Sequence, residues 1–554
     1  MQNWYTTLEL QAIQKKFGNA SWLVSEEQLK ENLTRLAVFT GDKRRICYPV
    51  KANPAIPVLQ ILAASGAGAD CANMHEINLA LLCGFKPDSI LYNAPVQDER
   101  TIHFVLEEGG TVVLDDPAVL QELNRDRYWE TLPGKMWLRI NPAASVQYEH
   151  KDNLQELMAH GSESSKFGVP EEELVQVLSQ VNLPICGLHL HVGTQMDNLQ
   201  SFVTAIESLH RVAQQLGAIG YSIAHLDIGG GLGIPFAGGQ KFPSIEAWAE
   251  ALLPLKKKEY AYYAEPGHAL VGDAVCLLTT VETIKKSRGK RWAVCNVGTD
   301  QLAKITLLKW EHPVYISDGN YLAHTGNDVL AGPLCFAGDV LLHATDVSML
   351  SVHQPILVTR AGAYLFALSN AFNGRGALPW LVVRSNQAIE LAVHKEEMFN
   401  RVFIHQTDWQ LSTAEQIEII DPERVKVLQS EYMTKLLLHD EYSFERFEKI
   451  GNKRYRVTSR MKSLVGFISM PLAIRVLGDA TIVAILHDAG ANHKDHSVWG
   501  QKINLDYFAN ISSAEPFVFI ITLSEHYTHH GTRKLIASFE TVKRGIQGMV
   551  VAHH

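Results

Sequence analysis

No apolar run in the 554-residue chain reaches the roughly 18–20 residues that a membrane-spanning helix requires, so a membrane partner is not expected. Positive charge is also short: 50 Lys and Arg against 59 Asp and Glu leave a net charge of −9. A protein with that balance has no basic field to attract nucleic acid. Cysteine is scarce and unpatterned, seven residues with no CxxC pair, which argues against a disulfide framework or a zinc site. The opening stretch "MQNWYTTLELQAIQKKFGNA" lacks a basic segment followed by an apolar one, so no secretory signal is expected and the expected setting is cytoplasmic. Internal repeats and low-complexity tracts are missing too. What remains is ordinary globular composition, 46% hydrophobic and 20% charged, in a chain long enough for several domains.

Short apolar runs alternate with amphipathic helical stretches through the first half. "RRICYPV", "SILYNAP", "TVVLDD", "KMWLRINP", "PICGLHLHVGTQ", "IAHLDIGGG" and "EYAYYAEPG" each read as a buried strand that ends in a polar or glycine-rich turn. This alternation predicts a parallel (β/α)8 barrel over residues 25–268, with a doubly wound sheet as the competing architecture, because periodicity cannot count closure. Residues 269–405 turn β-rich ("AVCLLTTVETI", "QPILVTR", "LPWLVVRSNQ") and predict an all-β domain, which residues 1–24 are expected to join. Polarity rises around "QTDWQLSTAEQIEIID", the expected linker, residues 406–441. A third unit of mixed α and β structure follows over residues 442–554, so the expected fold class is α/β multidomain.

The stretch "YPVKANP" places Lys51 at the end of a predicted barrel strand, in the mouth where such barrels do chemistry. Partial burial there is expected to depress the amine's pKa and make it a nucleophile. "DIGGGLG" ends another strand with Gly229, Gly230 and Gly231, whose amides can cradle a phosphate. "AEPGH" puts Glu265 at the end of the next strand, where a carboxylate could hold a proton on the pyridine nitrogen of pyridoxal phosphate. "HLHVGTQ" brings an imidazole, suited to stacking on an aromatic ring, to the same mouth.

In this order, these pieces resemble the alanine-racemase-like barrel family of pyridoxal-phosphate decarboxylases, which includes diaminopimelate, ornithine and arginine decarboxylases. The resemblance runs from about Phe17 to Phe403. It implies pyridoxal 5'-phosphate as cofactor, carried by Lys51, with His191 stacked on its ring and Thr194 beside its phosphate. It makes Gly229, Gly230 and Gly231 the phosphate loop, sets Glu265 on the pyridine nitrogen, and places Asp70 and Arg139 around the cofactor. "GPLCFAGD" is similar to the segment in which a cysteine enters the partner subunit's active site, here Cys335 with Asp339, so a homodimer is implied. "GAYLFALSNAFNG" resembles the segment whose tyrosine binds the phosphate, here Tyr364, with Phe372 lining the site.

The chain departs from the family where specificity is read. Phe336 stands where an acid commonly follows the cysteine, and Val297-Gly298 replaces an Asp-Gly that holds a distal amine, with Asp300 as the nearest substitute. His268 replaces an arginine that helps to bind phosphate, which implies a pH-sensitive hold on the cofactor. The expectation is a decarboxylase for a larger or less basic amino acid of a specialised pathway, of siderophore or antibiotic type. Diaminopimelate or another diamino acid is the alternative substrate. An amino-acid racemase, or a non-catalytic cofactor-binding regulator, is the alternative in kind; Glu265 and Cys335 argue against the first, and Lys51 with Cys335 against the second.

The last 54 residues, from "QKINLDYFANISS" to "GMVVAHH", resemble the back half of a hotdog domain, as in acyl-thioester hydrolases. The resemblance implies a long helix over residues 471–490 wrapped by a sheet, and acyl-CoA or an acyl-carrier protein as partner. Asp479 is the one acid nominated for catalysis. Its alternatives are a solvent-facing side chain, in a domain that only binds or dimerises.

Overall fold

The computed structural model describes residues 3–125, 128–142, 160–162, 165–236 and 241–393, and then 418–419, 425, 441–451, 453–462, 470–488, 499–507, 517–529, 532–541 and 546–553. Most of the predicted linker, residues 406–441, therefore lies outside the described residues. The chain divides into two compact units, residues 1–397 and 398–554.

Within the first unit, eight parallel strands run Cys47–Pro49, Gly68–Cys71, Ile90–Asn93, Thr111–Leu114, Lys135–Asn141, Ile185–His189, His225–Asp227 and Ala261–Tyr263, each paired with the next. Nearly every strand residue is buried, as expected when helices cover the outside of a parallel sheet and side chains fill the inside. The ring closes through a parallel bridge between Ile46 and Ala264. Cys47 N donates to Ala264 O at 2.9 Å, and Ala264 N donates to Arg45 O at 3.0 Å. These bonds join the first strand to the last, so the architecture is a closed barrel and not a doubly wound sheet. The outer helices start where short polar side chains satisfy free backbone amides: Ser25 accepts from Gln28 N, Asn73 from Glu76 N, Asp98 from Thr101 N and Ser244 from Ala247 N.

A β-sheet domain shares this unit. Its long strand Val275–Ser287 pairs antiparallel with Ser21–Ser25, Pro355–Val358 and Lys290–Cys295. Ser21–Ser25 also runs parallel to Trp380–Val383, so a strand from before the barrel lies within the sheet. The Trp22 and Trp380 rings stack there, 5.5 Å apart.

The second unit holds a seven-stranded antiparallel sheet in the order Glu418–Ile419, Glu441–Gly451, Arg454–Lys462, Phe517–His529, Thr532–Thr541, Ile546–His553, Trp499–Tyr507. The helix Met470–Asp488 packs Val476, Leu477, Val483 and Ala484 against Phe447, Tyr455, Val457 and Phe519 of the sheet. Asp479 is fully buried in this helix, and Tyr442 Oη donates to its Oδ2 at 3.0 Å. It does not face solvent. Among the described residues, no helix of the chain is long and apolar enough to cross a membrane.

Candidate active site

Parallel strands all end on one face, so the residues at their C-terminal ends converge there. Lys51 lies in the turn Val50–Ala52 that directly follows the first barrel strand, and Asp70 lies in the second. Asn93, Arg139, His189 and Asp227 come from the ends of later strands, and Glu265 follows the last. A cavity of about 420 Å³ opens among them, lined by Lys51, Arg139, His191, Thr194, Gly231, Glu265, His268 and Tyr364 together with Lys304, Leu308, Trp310 and Leu368.

Lys51 Nζ donates to Asp70 Oδ2 at 2.5 Å; the lysine side chain is 48% exposed, toward the cavity, and Asp70 is buried. Burial pulls the ammonium's pKa down, but the charges of Asp70 and Glu265 outweigh it, so the pKa is raised. This corrects the expectation of a depressed amine: the anion that reverses the sign sits on the neighbouring strand. Burial, with the charge of Glu265, pushes Asp70 up in turn, against the opposing pull of Lys51. Asp70 is thereby the immediate hydrogen-bond partner of the proton that Lys51 must lose before it can act as a nucleophile.

Glu265 is buried, and burial pushes its pKa up; His189, Lys51 and Arg139 overcome that push and hold the carboxyl below its usual range. Its Oε2 lies 3.2 Å from His189 Nε2, while its Oε1 has no hydrogen-bond partner among the described residues. A buried, ionised carboxylate oxygen without a donor is costly unless a ligand brings one.

His191 accepts from Gly230 N through Nδ1 at 3.0 Å, which leaves the proton on Nε2. Burial keeps it neutral, well below the ordinary histidine range. The same loop needs its glycines. Gly229 and Gly231 have φ of +64° and +111°, and a Cβ on Gly230 would lie 2.1 Å from Glu265 O. Glu265 N donates to Gly229 O at 2.7 Å, so loop and carboxylate are tied together. Tyr364 is held by its own backbone, whose N donates to Ala52 O at 2.7 Å. Gly229 N donates to Asp227 Oδ1 at 2.8 Å and Gly230 N to His191, while Gly231 lines the cavity. A loop wall without side chains, beside a cationic lysine, a neutral imidazole face and a carboxylate oxygen with no partner among the described residues, fits the phosphate, the aldehyde carbon, the ring and the ring nitrogen of pyridoxal phosphate.

The opposite wall is aromatic and basic. Lys304 is 1% exposed; its Nζ donates to Ala363 O at 2.8 Å and lies 4.5 Å from the centre of the Phe236 ring. Burial brings its pKa down to about 7. His268 is also buried, 4.8 Å from the Tyr364 ring, and burial beside Lys304 and His312 keeps it neutral. The pH sensitivity expected of His268 therefore has no source in its own titration near neutral pH.

Other predicted positions lie apart from the cavity in this chain. Asp300 is buried but committed: it accepts from Gly298 N at 3.1 Å and from Arg375 Nε at 3.1 Å, so it is not a free acid for a distal amine. Asp339 accepts from Thr299 N and Leu334 N, each at 2.7 Å, and pins two loops together instead of lining the cavity. Cys335 is exposed, its N donating to Asn373 Oδ1 at 2.9 Å. Phe336 and Phe372 are 49% and 48% exposed, with ring centres 6.4 Å apart. Cys335, Phe336 and Phe372 thus form a surface cluster outside this cavity. Sequence reasoning missed His189, Asn93 and Lys304. "HLH" does hold His189 two residues before His191, the spacing that puts both on one face of an extended strand.

Residues 26–272 match the family model described as "Pyridoxal-dependent decarboxylase, pyridoxal binding domain". The chain is 28% identical over 390 residues to the diaminopimelate decarboxylase of Methanothermobacter thermautotrophicus, covering 67% of this chain and 88% of that one. It is 27% identical over 407 residues to the diaminopimelate decarboxylase of Archaeoglobus fulgidus, covering 70% and 94%. Among solved structures, diaminopimelate decarboxylase from Helicobacter pylori complexed with L-lysine aligns with a TM-score of 0.63 at 23% identity, over 70% of this chain and 97% of that one. Lysine/ornithine decarboxylase from Vibrio vulnificus complexed with putrescine aligns with a TM-score of 0.57 at 21% identity, over 68% and 98%. The barrel and its β-sheet domain have the alanine-racemase-like fold of the enzymes that use pyridoxal 5'-phosphate. Within that class, the protein is a pyridoxal-phosphate-dependent decarboxylase, a carboxy-lyase similar to the diaminopimelate decarboxylases over about 70% of its length.

Proposed function

We propose that the first unit removes CO2 from an α-amino acid whose side chain ends in a carboxylate, as that of diaminopimelate does. The observation that carries this reading is Lys304, a buried cation on the cavity wall that, among the described residues, donates a hydrogen bond only to a carbonyl. The relatives' names favour diaminopimelate over the siderophore- or antibiotic-type precursor expected from Phe336 and Val297.

Bound pyridoxal phosphate supplies the electron sink for the pair left at Cα when the carboxylate departs. Lys51 would carry the cofactor, with Asp70 holding its amine in place. The loop of Gly229, Gly230 and Gly231, which carries no side chains, would leave room for the phosphate, with Thr194 and Tyr364 beside it, and His191 would cover the ring. Glu265 keeps the ring nitrogen protonated, and Arg139 supports Glu265 electrostatically. Cys335 of a second copy returns a proton to Cα, with Phe336 and Phe372 closing the site. Their exposure in a single chain supports this reading.

The test is a panel of meso-diaminopimelate, 2-aminopimelate, lysine and ornithine, scored by CO2 release. The carboxylate-ended pair should exceed the others in kcat/KM by about 10- to 100-fold, since a hydrogen bond to a charged group is worth about 1.5–3 kcal/mol. Lys304 is protonated below its pKa of about 7, so KM for that pair should rise as pH increases through neutrality. Lysine and ornithine turned over as well as diaminopimelate would sink the assignment.

For the second unit, the reading is a hotdog-type domain that binds a pantetheine thioester. Its support is the sheet order: the strand after the helix, Trp499–Tyr507, lies at the far edge, with the following three strands between it and Arg454–Lys462. Burial of Asp479 under Tyr442 favours binding over hydrolysis. Calorimetry of the full chain should detect an acyl-CoA or an acyl-carrier protein, and Asp479→Asn should leave CO2 release unchanged. Failure to bind either thioester leaves assembly as the domain's role.

A further inference from the structure

The base of the cavity holds more buried charge than the cofactor contacts alone explain. Asp70, Asp115, Asp227 and Glu265 face one another across the strand ends, with Lys51 and Arg139 as the cations among them. His189, fully buried, sits in their midst. Its Nε2 lies 3.2 Å from Glu265 Oε2 and also 3.2 Å from Asn93 Nδ2. Arg139 Nη1 donates to Asn93 Oδ1 at 3.2 Å, and Arg139 Nε lies 3.5 Å from Asp115 Oδ1. A continuous row therefore runs Asp115, Arg139, Asn93, His189, Glu265.

We propose that His189 is a positioning residue for Glu265: Nε2–H is donated to Oε2, which leaves Oε1 as the acceptor presented to the cofactor's ring nitrogen. The inference rests on the reading that Glu265 meets that nitrogen.

The argument turns on one proton. Arg139 occupies Asn93 Oδ1, so the Asn93 amide turns its NH2 toward His189. One ring nitrogen cannot give a proton to Glu265 and accept one from Asn93 at the same time. If Asn93 were the donor, the imidazole proton would sit on Nδ1, which is buried and has no partner among the described residues. A lone pair would then face the Glu265 carboxylate. If Nε2 carries the proton, the bond to Glu265 is charge-assisted and roughly twice as strong as a neutral one, and the groups left over are a bare Nδ1 lone pair and one Asn93 N–H, both neutral. The second arrangement wins. Glu265 then has one oxygen engaged and the other free, as found.

The other charges around the pair do not replace this donor. Asp227 is itself pushed well up by burial and by the charge of Glu265. Lys51 is bonded to Asp70, and Arg139 reaches the row through Asn93. Without His189, the buried Glu265 carboxylate would take a proton for itself, and the ring nitrogen would lose its own.

The test is 15N NMR of the holoenzyme loaded with pyridoxal phosphate labelled at the pyridine nitrogen. The wild type should show a protonated nitrogen from pH 6 to 9. In His189→Leu the nitrogen should shift to the unprotonated position, while His189→Gln, which keeps a side-chain N–H, should restore the protonated signal. A protonated nitrogen in His189→Leu, or the same loss in His189→Gln, overturns the proposal. An unprotonated nitrogen in the wild type instead refutes the role of Glu265 on which it rests. Should His189→Leu fail to fold or to load, 15N-histidine labelling of the wild type decides alone: protonated Nε2 with bare Nδ1 is expected, and a proton on Nδ1 contradicts it.

Discussion

Replacing Lys51 by alanine should lower CO2 release by about 10³-fold or more, because one side chain both anchors the cofactor and moves a proton, and positioned acid–base groups alone contribute about 10²–10⁴. The cofactor should still bind, held by the glycine loop, Tyr364 and Glu265, but it should leave on dialysis. Asp70→Asn separates the two roles of the pair. It removes the anion that raises the Lys51 pKa and the hydrogen bond that holds its amine, yet it spares the covalent anchor. Its loss should be smaller, and its pH profile should shift to lower pH than the wild type's, because the lysine without that anion deprotonates more readily. Mass spectrometry of intact protein, with rates measured under saturating cofactor, checks both. Wild-type rates from Lys51→Ala would remove the lysine from the mechanism.

The second large effect comes from mixing two inactive proteins. Lys51→Ala and Cys335→Ala should each be crippled alone. If Cys335 serves the partner's cavity, a mixed dimer holds one site with both residues and one with neither. Random exchange makes half of the dimers mixed, each with one of two sites intact, so activity should return to about a quarter of wild type. The exposed cluster of Cys335, Phe336 and Phe372 is the feature behind this expectation. No recovery after verified subunit exchange would place the proton donor elsewhere.

How much could be read from the chain depends on whether the determining contact is local. Lys51, the three glycines and Glu265 were legible because each ends a strand, and a parallel barrel turns strand ends into a shared mouth. Closure was not: the Ile46–Ala264 bridge joins residues more than two hundred positions apart. The sign of the Lys51 shift was missed because Asp70 lies nineteen residues away, on the next strand. Asp300 looked available because Arg375, which neutralises it, arrives from another segment. The helix of the second unit was legible from its apolar run, predicted over 471–490 and found over Met470–Asp488. The burial of Asp479 was not, since its Tyr442 partner comes from a separate strand.

The cavity holds two lysines, and only one can carry the cofactor. Lys304, with a pKa lowered to about 7, is the better free nucleophile, whereas Lys51 stands beside a base and on the strand next to Glu265. Borohydride reduction of the loaded protein, followed by peptide mapping, tells them apart. The account predicts one pyridoxyl group per chain, on Lys51. A label on Lys304, or on any other lysine, would contradict it.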